Sequence, residues 1–382
     1  MTSVAADPLW TSWNTRRLIV WRTLLVSVSV TLALLLVEVG LRIVQPPRPS
    51  RPQPQVEYER GPRAPENGRL AIYHVMRPYQ TAYHLESEVR TNGLGLRGPE
   101  PVRQPGADHF RIVALGDSHT FGYGIAEEDA WPAVLQRLLE ATWPRRDVEV
   151  INAGIEALAI EQEIALFEER LLPLQPDLVI LAYYWNDMPH PGDPFDRWEG
   201  QGALTPATML PPRPSGDKES EPTRRGFVTR VKDVLRKSYL LYFTAQKLPV
   251  LQQRFFPTDV TAWRNAVLTD QRSDRISASW RFVEQQLVRL TQLAGDHDFE
   301  VVLVAVPIYE QMVGSAGTAG YQGNLAAIAS DLDLVLLDPL RAIRAISPSY
   351  PEDFVPFDGH PTERIYAVIA EEIAAELTQR RP

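Results

Sequence analysis

The sequence predicts an α/β fold: a three-layer α/β/α sandwich around a five-stranded parallel sheet, preceded by one N-terminal transmembrane helix. Three observations carry this. Short strand-like stretches at 111–115, 148–151, 178–184, 301–306 and 334–337, apolar but for Arg111 and Glu149, alternate with longer segments whose apolar residues recur at helical spacing. The run 178–184 is apolar throughout, as a strand buried on both faces should be. Near the start of the chain, Thr23–Val37 carries no charge at all.

Residues 1–17 form a polar tail with Trp10, Trp13, Arg16 and Arg17, and 18–44 reads as a transmembrane anchor. The uncharged core of this segment spans only about 22 Å as a helix, short of a ~30 Å bilayer. Arg22 can snorkel to the interface and lengthen the usable span to about 20 residues. Glu38 and Arg42 sit four apart and can pair on one helix face. Glu38-Val-Gly-Leu-Arg follows Val37 where a cleaved signal peptide would carry small residues, so the expectation is an uncleaved single-pass anchor. Arg16, Arg17 and Arg22 on one side face Arg42, Arg48 and Arg51 on the other, so basic residues alone do not orient it. The short basic N-terminus, the apolar run and the proline spacer place the large domain outside the cytoplasmic membrane, periplasmic or extracellular. Residues 45–69 are that spacer. The proline density of Pro46 to Pro65 within it favours extended polyproline II, with a reach of about 60 Å over some twenty residues.

The remainder, 70–382, is expected to be one domain with an insertion at about 188–275. A net charge of −9 argues against a nucleic-acid surface, which wants a basic face. With no cysteine there is no disulfide, thiolate metal site or cysteine nucleophile. Residues 70–89 mix aromatic and polar side chains, as strands or an arm on the domain edge would. The stretch 91–98, Thr-Asn-Gly-Leu-Gly-Leu-Arg-Gly, is turn-rich, and Arg97 within it reads as a structural arginine. Helices are expected over 131–143, 161–172, 277–293 and 324–330, with a last one starting at Pro361, a residue suited to the first helical position. That last helix carries Ile365, Val368, Ile369 and Ile373 at helical spacing. The insertion is proline-rich and charged to Gly226, then amphipathic over 227–250. Because it leaves directly after Asn186-Asp187, it should begin at the rim of any site there, as a lid or as a plain surface loop.

The chemistry concentrates in four short stretches. Ile112–Leu115 runs into Gly116-Asp117-Ser118, which puts Ser118 at the carboxyl end of a strand, where open α/β sheets place reacting groups. Asn152-Ala-Gly154 follows the second strand, Tyr184-Trp-Asn186-Asp187 the third, and Asp358-Gly-His360-Pro361 precedes the last helix. Taken singly these are a turn, a helix cap and a helix start. In this order and on these elements they resemble the SGNH/GDSL family of serine esterases and acyltransferases, over about residue 90 to the C-terminus. An Asn-x-x-Gly-x-Arg-Gly segment similar to 92–98 also precedes the Gly-Asp-Ser strand in membrane-anchored bacterial members.

The resemblance implies sheet order 2-1-3-4-5, Ser118 as nucleophile, His360 as base and Asp358 as the acid that orients it. Asp358 lies two residues before His360, and the family pattern is Asp-x-x-His; the shorter spacing also occurs in polysaccharide-acetylating relatives. The oxyanion hole it implies comprises the backbone N–H groups of Ser118 and Gly154 and the side-chain amide of Asn186. The α/β-hydrolase elbow G-x-S-x-G is absent, since Thr120 stands at its second glycine. His119 points away from its neighbour Ser118, and Asp117 reads as a turn cap. Asp296-His297-Asp298 reads as a solvated loop, and His190 falls in the insertion. No cofactor or metal is called for. The expected activity is cleavage of an ester through an acyl-enzyme, with an ester or acylated glycan as substrate. O-acyl transfer to a cell-envelope or exported polysaccharide is the enzymatic alternative, and a non-catalytic glycan-binding module the other.

Overall fold

Alternating apolar runs and amphipathic helices fold into a parallel sheet covered on both faces. The computed structural model describes residues 8–44, 56–60, 74–84, 87–188, 259–269, 273–314, 320–350, 352–355 and 359–380. Most of the 45–69 spacer, His190, the insertion from 189 to 258 with its 227–250 segment, and Asp358 lie outside the described residues. The chain divides into two compact units; one contains the N-terminal helix, and the other is built from 53–211 with 257–382.

The described strands are β1 (Tyr58–Arg60), β2 (His74–Met76), β3 (Thr81–His84), β4 (Ser87–Arg90), β5 (His109–Gly116), β6 (Asp147–Gly154), β7 (Leu178–Tyr183), β8 (Glu300–Ala305) and β9 (Val335–Leu337). The described helices are α1 (Pro8–Val44), α2 (Ser118–Phe121), α3 (Trp131–Thr142), α4 (Ile160–Leu166), α5 (Asp259–Leu268), α6 (Asp274–His297), α7 (Tyr309–Met312), α8 (Tyr321–Asp331), α9 (Leu340–Ala345) and α10 (Glu363–Arg380).

In the first unit, Val20–Gly40 of α1 is long and apolar enough to cross a membrane. Its large side chains, among them Leu25, Leu36 and Val37, are exposed within the chain.

In the second unit the sheet runs β6-β5-β7-β8-β9, all parallel, which is the 2-1-3-4-5 order. Side chains alternate between the faces of β5. Val113 and Leu115 join a core with Ile160 and Ile164 of α4, Trp280 and Leu287 of α6, and Leu325 of α8. Ile112 and Ala114 join the opposite core with Leu135 and Leu139 of α3 and with Ile365, Ile369, Ile373 and Leu377 of α10. Each such fully buried aliphatic side chain contributes about 1.5–3 kcal/mol relative to exposure, so α10 is held by its i, i+4 stripe. Within the stretch 188–275, α5 packs Trp263, Val267 and Leu268 into the first of these cores. The helix expected over 161–172 is α only to Leu166; it ends in a π turn, Phe167–Leu171, and a short 3-10 turn containing Pro173, whose ring removes a backbone donor.

Two small antiparallel pairs are present, β1–β2 and β3–β4. Strands β2, β3 and most of β4 fall in the stretch 70–89 expected to add strands or an arm. Strand β1 falls at 58–60, inside the stretch expected to be plain spacer, because it pairs with β2. For the site the important feature is register. Gly116 pairs with Gly154 on one side and with Ala182 on the other, so β5, β6 and β7 end level. The three turns that follow them therefore lie together at the carboxyl edge of the sheet.

Candidate active site

The turn after β5 is built around Gly116 and Asp117. Gly116 has φ +152°, and a Cβ there would fall 2.2 Å from Thr120 Oγ1 and 2.9 Å from the carbonyl oxygen of Ala182. Only glycine fits. Asp117 caps α2, its carboxylate accepting from the His119 N–H at 2.8 Å. Ser118 is thus the first residue of a helix, and the first N–H of a helix has no partner inside it.

Ser118 is 8% exposed, and its Oγ lies 2.8 Å from His360 Nε2. The two residues are 242 positions apart in the chain. Asp117 Oδ2 is a longer alternative acceptor for the Ser118 hydroxyl, at 3.2 Å, so the shorter geometry directs the proton to the imidazole. His360 is held by a local bridge: Phe354 pairs with Pro361, and the Val355 N–H donates to the His360 carbonyl at 2.8 Å.

Gly154 and Asn186 stand on the neighbouring strand ends. A Cβ on Gly154 would fall 2.1 Å from the backbone nitrogen of Phe121, so its missing side chain lets α2 close onto β6. The Gly154 N–H donates to Asn152 Oδ1 at 3.0 Å. Asn186 lies in the 3-10 turn Trp185–Asp187 just past β7. Asp187 caps that turn, accepting from the Tyr184 N–H at 2.6 Å. Asn186 Oδ1 is buried and has no hydrogen-bond partner among the described residues.

His119 does not hydrogen-bond Ser118; its Nδ1 lies 3.2 Å from Asp117 Oδ1. Its ring nevertheless stacks on His360, with centroids 4.5 Å apart and planes 29° apart. Tyr123 stacks on His360 as well, at 4.3 Å and 22°. Sequence reasoning missed this cluster, because the partner ring arrives from the far end of the chain. Arg97 is 2% exposed and serves the same turn. Its guanidinium donates to the carbonyls of Phe121 (3.0 Å), Gly122 (2.8 Å) and Ile125 (2.7 Å), and lies 4.9 Å over the Phe121 ring. It closes the C-terminal end of α2, where cations are favoured, and so connects the 91–98 segment to the Ser118 turn. Burial pulls the Arg97 pKa down, with nearby Glu127 opposing.

Beneath the site sit three fully buried carboxylates. Burial alone would raise Asp117, but the His119 charge and the hydrogen bonds from His119 hold it below the usual carboxylate range. Glu163 on α4 is pushed well up by burial and by the Asp117 charge. Asp187 is pushed well up by burial and by Glu163 and Asp117. The same buried cluster thus lowers the carboxyl beside Ser118 and raises the two behind it. Among the described residues no cluster of three or more His, Cys, Asp or Glu side chains could hold a metal ion.

A family profile, the GDSL-like lipase/acylhydrolase family, matches residues 114–368. No curated protein sequence matches the chain. Solved structures match at low identity and low TM-score. A lipase/acylhydrolase from Enterococcus faecalis is 14% identical, with 71% of this chain and 96% of that one covered at a TM-score of 0.39. An α/β hydrolase from the metagenome of Lake Arreo, Spain, is 15% identical, with 71% and 95% covered at 0.40. An acetyl xylan esterase is 13% identical, with 70% and 100% covered at 0.40. The profile spans the Ser118 turn, both neighbouring strand ends and the His360 loop, and the chain belongs to the GDSL-like lipase/acylhydrolase family.

Proposed function

We propose that the protein is a serine esterase that cleaves an ester through a covalent acyl-enzyme on Ser118. The observation that carries this reading is the 2.8 Å contact between Ser118 Oγ and His360 Nε2. A hydroxyl at its ordinary pKa is a poor nucleophile and needs a base at this distance. His360 Nε2 takes the Ser118 proton as Oγ bonds to the substrate carbonyl carbon, and the carbonyl oxygen becomes an oxyanion. Collapse breaks the ester C–O bond, and His360 returns its proton to the departing alkoxide. Water then repeats the sequence on the acyl-enzyme, releasing the acid and freeing Ser118. Asp358 is assigned to orient the His360 ring.

The oxyanion donors in this reading are the Ser118 N–H, the Asn186 side-chain amide and the Gly154 N–H, the last shared with Asn152 Oδ1. Each donor aimed at the developing charge is worth about 3 kcal/mol in the transition state. No metal or cofactor is needed for these steps.

Hydrolysis and O-acyl transfer share every step up to the acyl-enzyme and differ only in the acceptor. The experiment is a panel of short- and long-chain nitrophenyl esters and acetylated glycans given to the full chain in detergent. Turnover to free acid supports hydrolysis. Transfer to an added polysaccharide with little free acid supports the acyltransferase reading, and neither activity on any substrate supports a binding module.

We place the catalytic unit outside the cytoplasmic membrane, with Val20–Gly40 of α1 as the anchor and residues 1–17 inside. An alkaline phosphatase fusion at residue 66 should be active, and a reporter that requires the cytoplasm inactive there. The opposite pair of results overturns this topology.

A further inference from the structure

The proposed base is held on its ring faces as well as at its nitrogen. Tyr123 and His119 each stack on His360 nearly parallel, at 4.3 Å and 4.5 Å between centroids. One imidazole face accommodates a single ring at that separation, so the two stacks occupy opposite faces. The clamp is anchored on both sides. His119 Nδ1 faces Asp117 Oδ1 at 3.2 Å, and its ring packs on Tyr184 at 3.9 Å. Tyr123 packs against His84 of β3 at 4.5 Å, and His84 Nε2 lies 3.1 Å from Glu156 Oε1. Tyr58 of β1 donates its hydroxyl to the same carboxylate at 2.8 Å. The arm β1–β4 thus reaches the base through Glu156, His84 and Tyr123.

We infer that Tyr123 is a positioning residue for His360, acting through its ring face, with His119 completing the clamp and the arm backing it. This rests on the reading of His360 as the base. Rotation of the imidazole about its Cβ–Cγ bond would break the 2.8 Å contact to Ser118, and two flanking rings oppose that rotation. Proton transfer also turns His360 into a cation in the transition state. The neutral Tyr123 face attracts that cation more strongly than it attracts the neutral ring of the ground state, while His119 serves by contact alone. Both effects act on kcat, and neither requires Tyr123 to touch the substrate.

The test uses the full chain in detergent with nitrophenyl acetate, reading kcat and KM separately alongside a melting curve. Tyr123→Ala should lower kcat about 10- to 30-fold with KM within about twofold. Tyr123→Phe, which keeps the ring and removes the hydroxyl, should recover kcat to within about threefold of the parent. Tyr123→Leu fills the space without a π face and should stay near the alanine value; it also replaces alanine in the test if that variant does not fold. The inference is overturned if Tyr123→Ala keeps the parent kcat, if phenylalanine is as slow as alanine, or if only KM changes. The last result would make Tyr123 a substrate contact. A His360→Ala control that kept full activity would instead remove the underlying assignment of the base, so the two failures are distinguishable.

Discussion

Ser118→Ala and His360→Ala should each lower kcat/KM by more than about 10³-fold, and the double variant should be hardly worse than either. The reason is that the two groups act in one step. Without the hydroxyl there is nothing for the imidazole to deprotonate, and without the imidazole the hydroxyl keeps its proton. Ser118 sits on α2, whose Asp117 cap, Gly116 hinge and Arg97 clamp do not depend on the serine hydroxyl, so melting temperatures should change little. Losses that multiplied in the double variant would mean two independent contributions, not one catalytic unit. Asp358→Asn should lose less than either if another group or a water can orient the ring.

Asn186→Ala should lower kcat about 10²–10³-fold with little change in KM, because an oxyanion donor strengthens mainly in the transition state. Asn186→Asp should be worse, since a carboxylate accepts where a donor is needed and repels the developing charge. A competing account makes Asn186 a cap for the turn after β7, and aspartate caps as well as asparagine. That position is already filled: Asp187 takes the Tyr184 N–H at 2.6 Å. Kinetics and melting curves for both variants separate the accounts. An aspartate variant with the parent kcat would leave Asn186 without an oxyanion role, whatever its stability.

Much of the fold was legible because the physical signals were local. The β5 and β7 segments read as strands from their own apolar runs, and α10 from its i, i+4 stripe. Ser118 and His360 could be named because each sits in a short motif next to a strand end or helix start, and the fold brings them within hydrogen-bond distance. The ring clamp was not legible. That sequence neighbours point apart separates His119 from Ser118 but is silent about a ring arriving from residue 360. Arg97 was readable as structural from its turn-rich setting, but not the carbonyls of α2 that it binds. The buried carboxyls Glu163 and Asp187 were also invisible, because their burial depends on how α4 packs beside the turn after β7. Composition carries no such three-dimensional information.

The account stands or falls on Ser118 being an activated nucleophile, and covalent trapping tests that most directly. Incubation of the full chain with a fluorophosphonate should add one phosphonyl group by intact mass, and peptide mapping should place it on Ser118. His360→Ala should slow the labelling by at least about 10²-fold, because the trapping step also needs the serine proton removed. Labelling of a different residue, or labelling of Ser118 at an unchanged rate without His360, would contradict it.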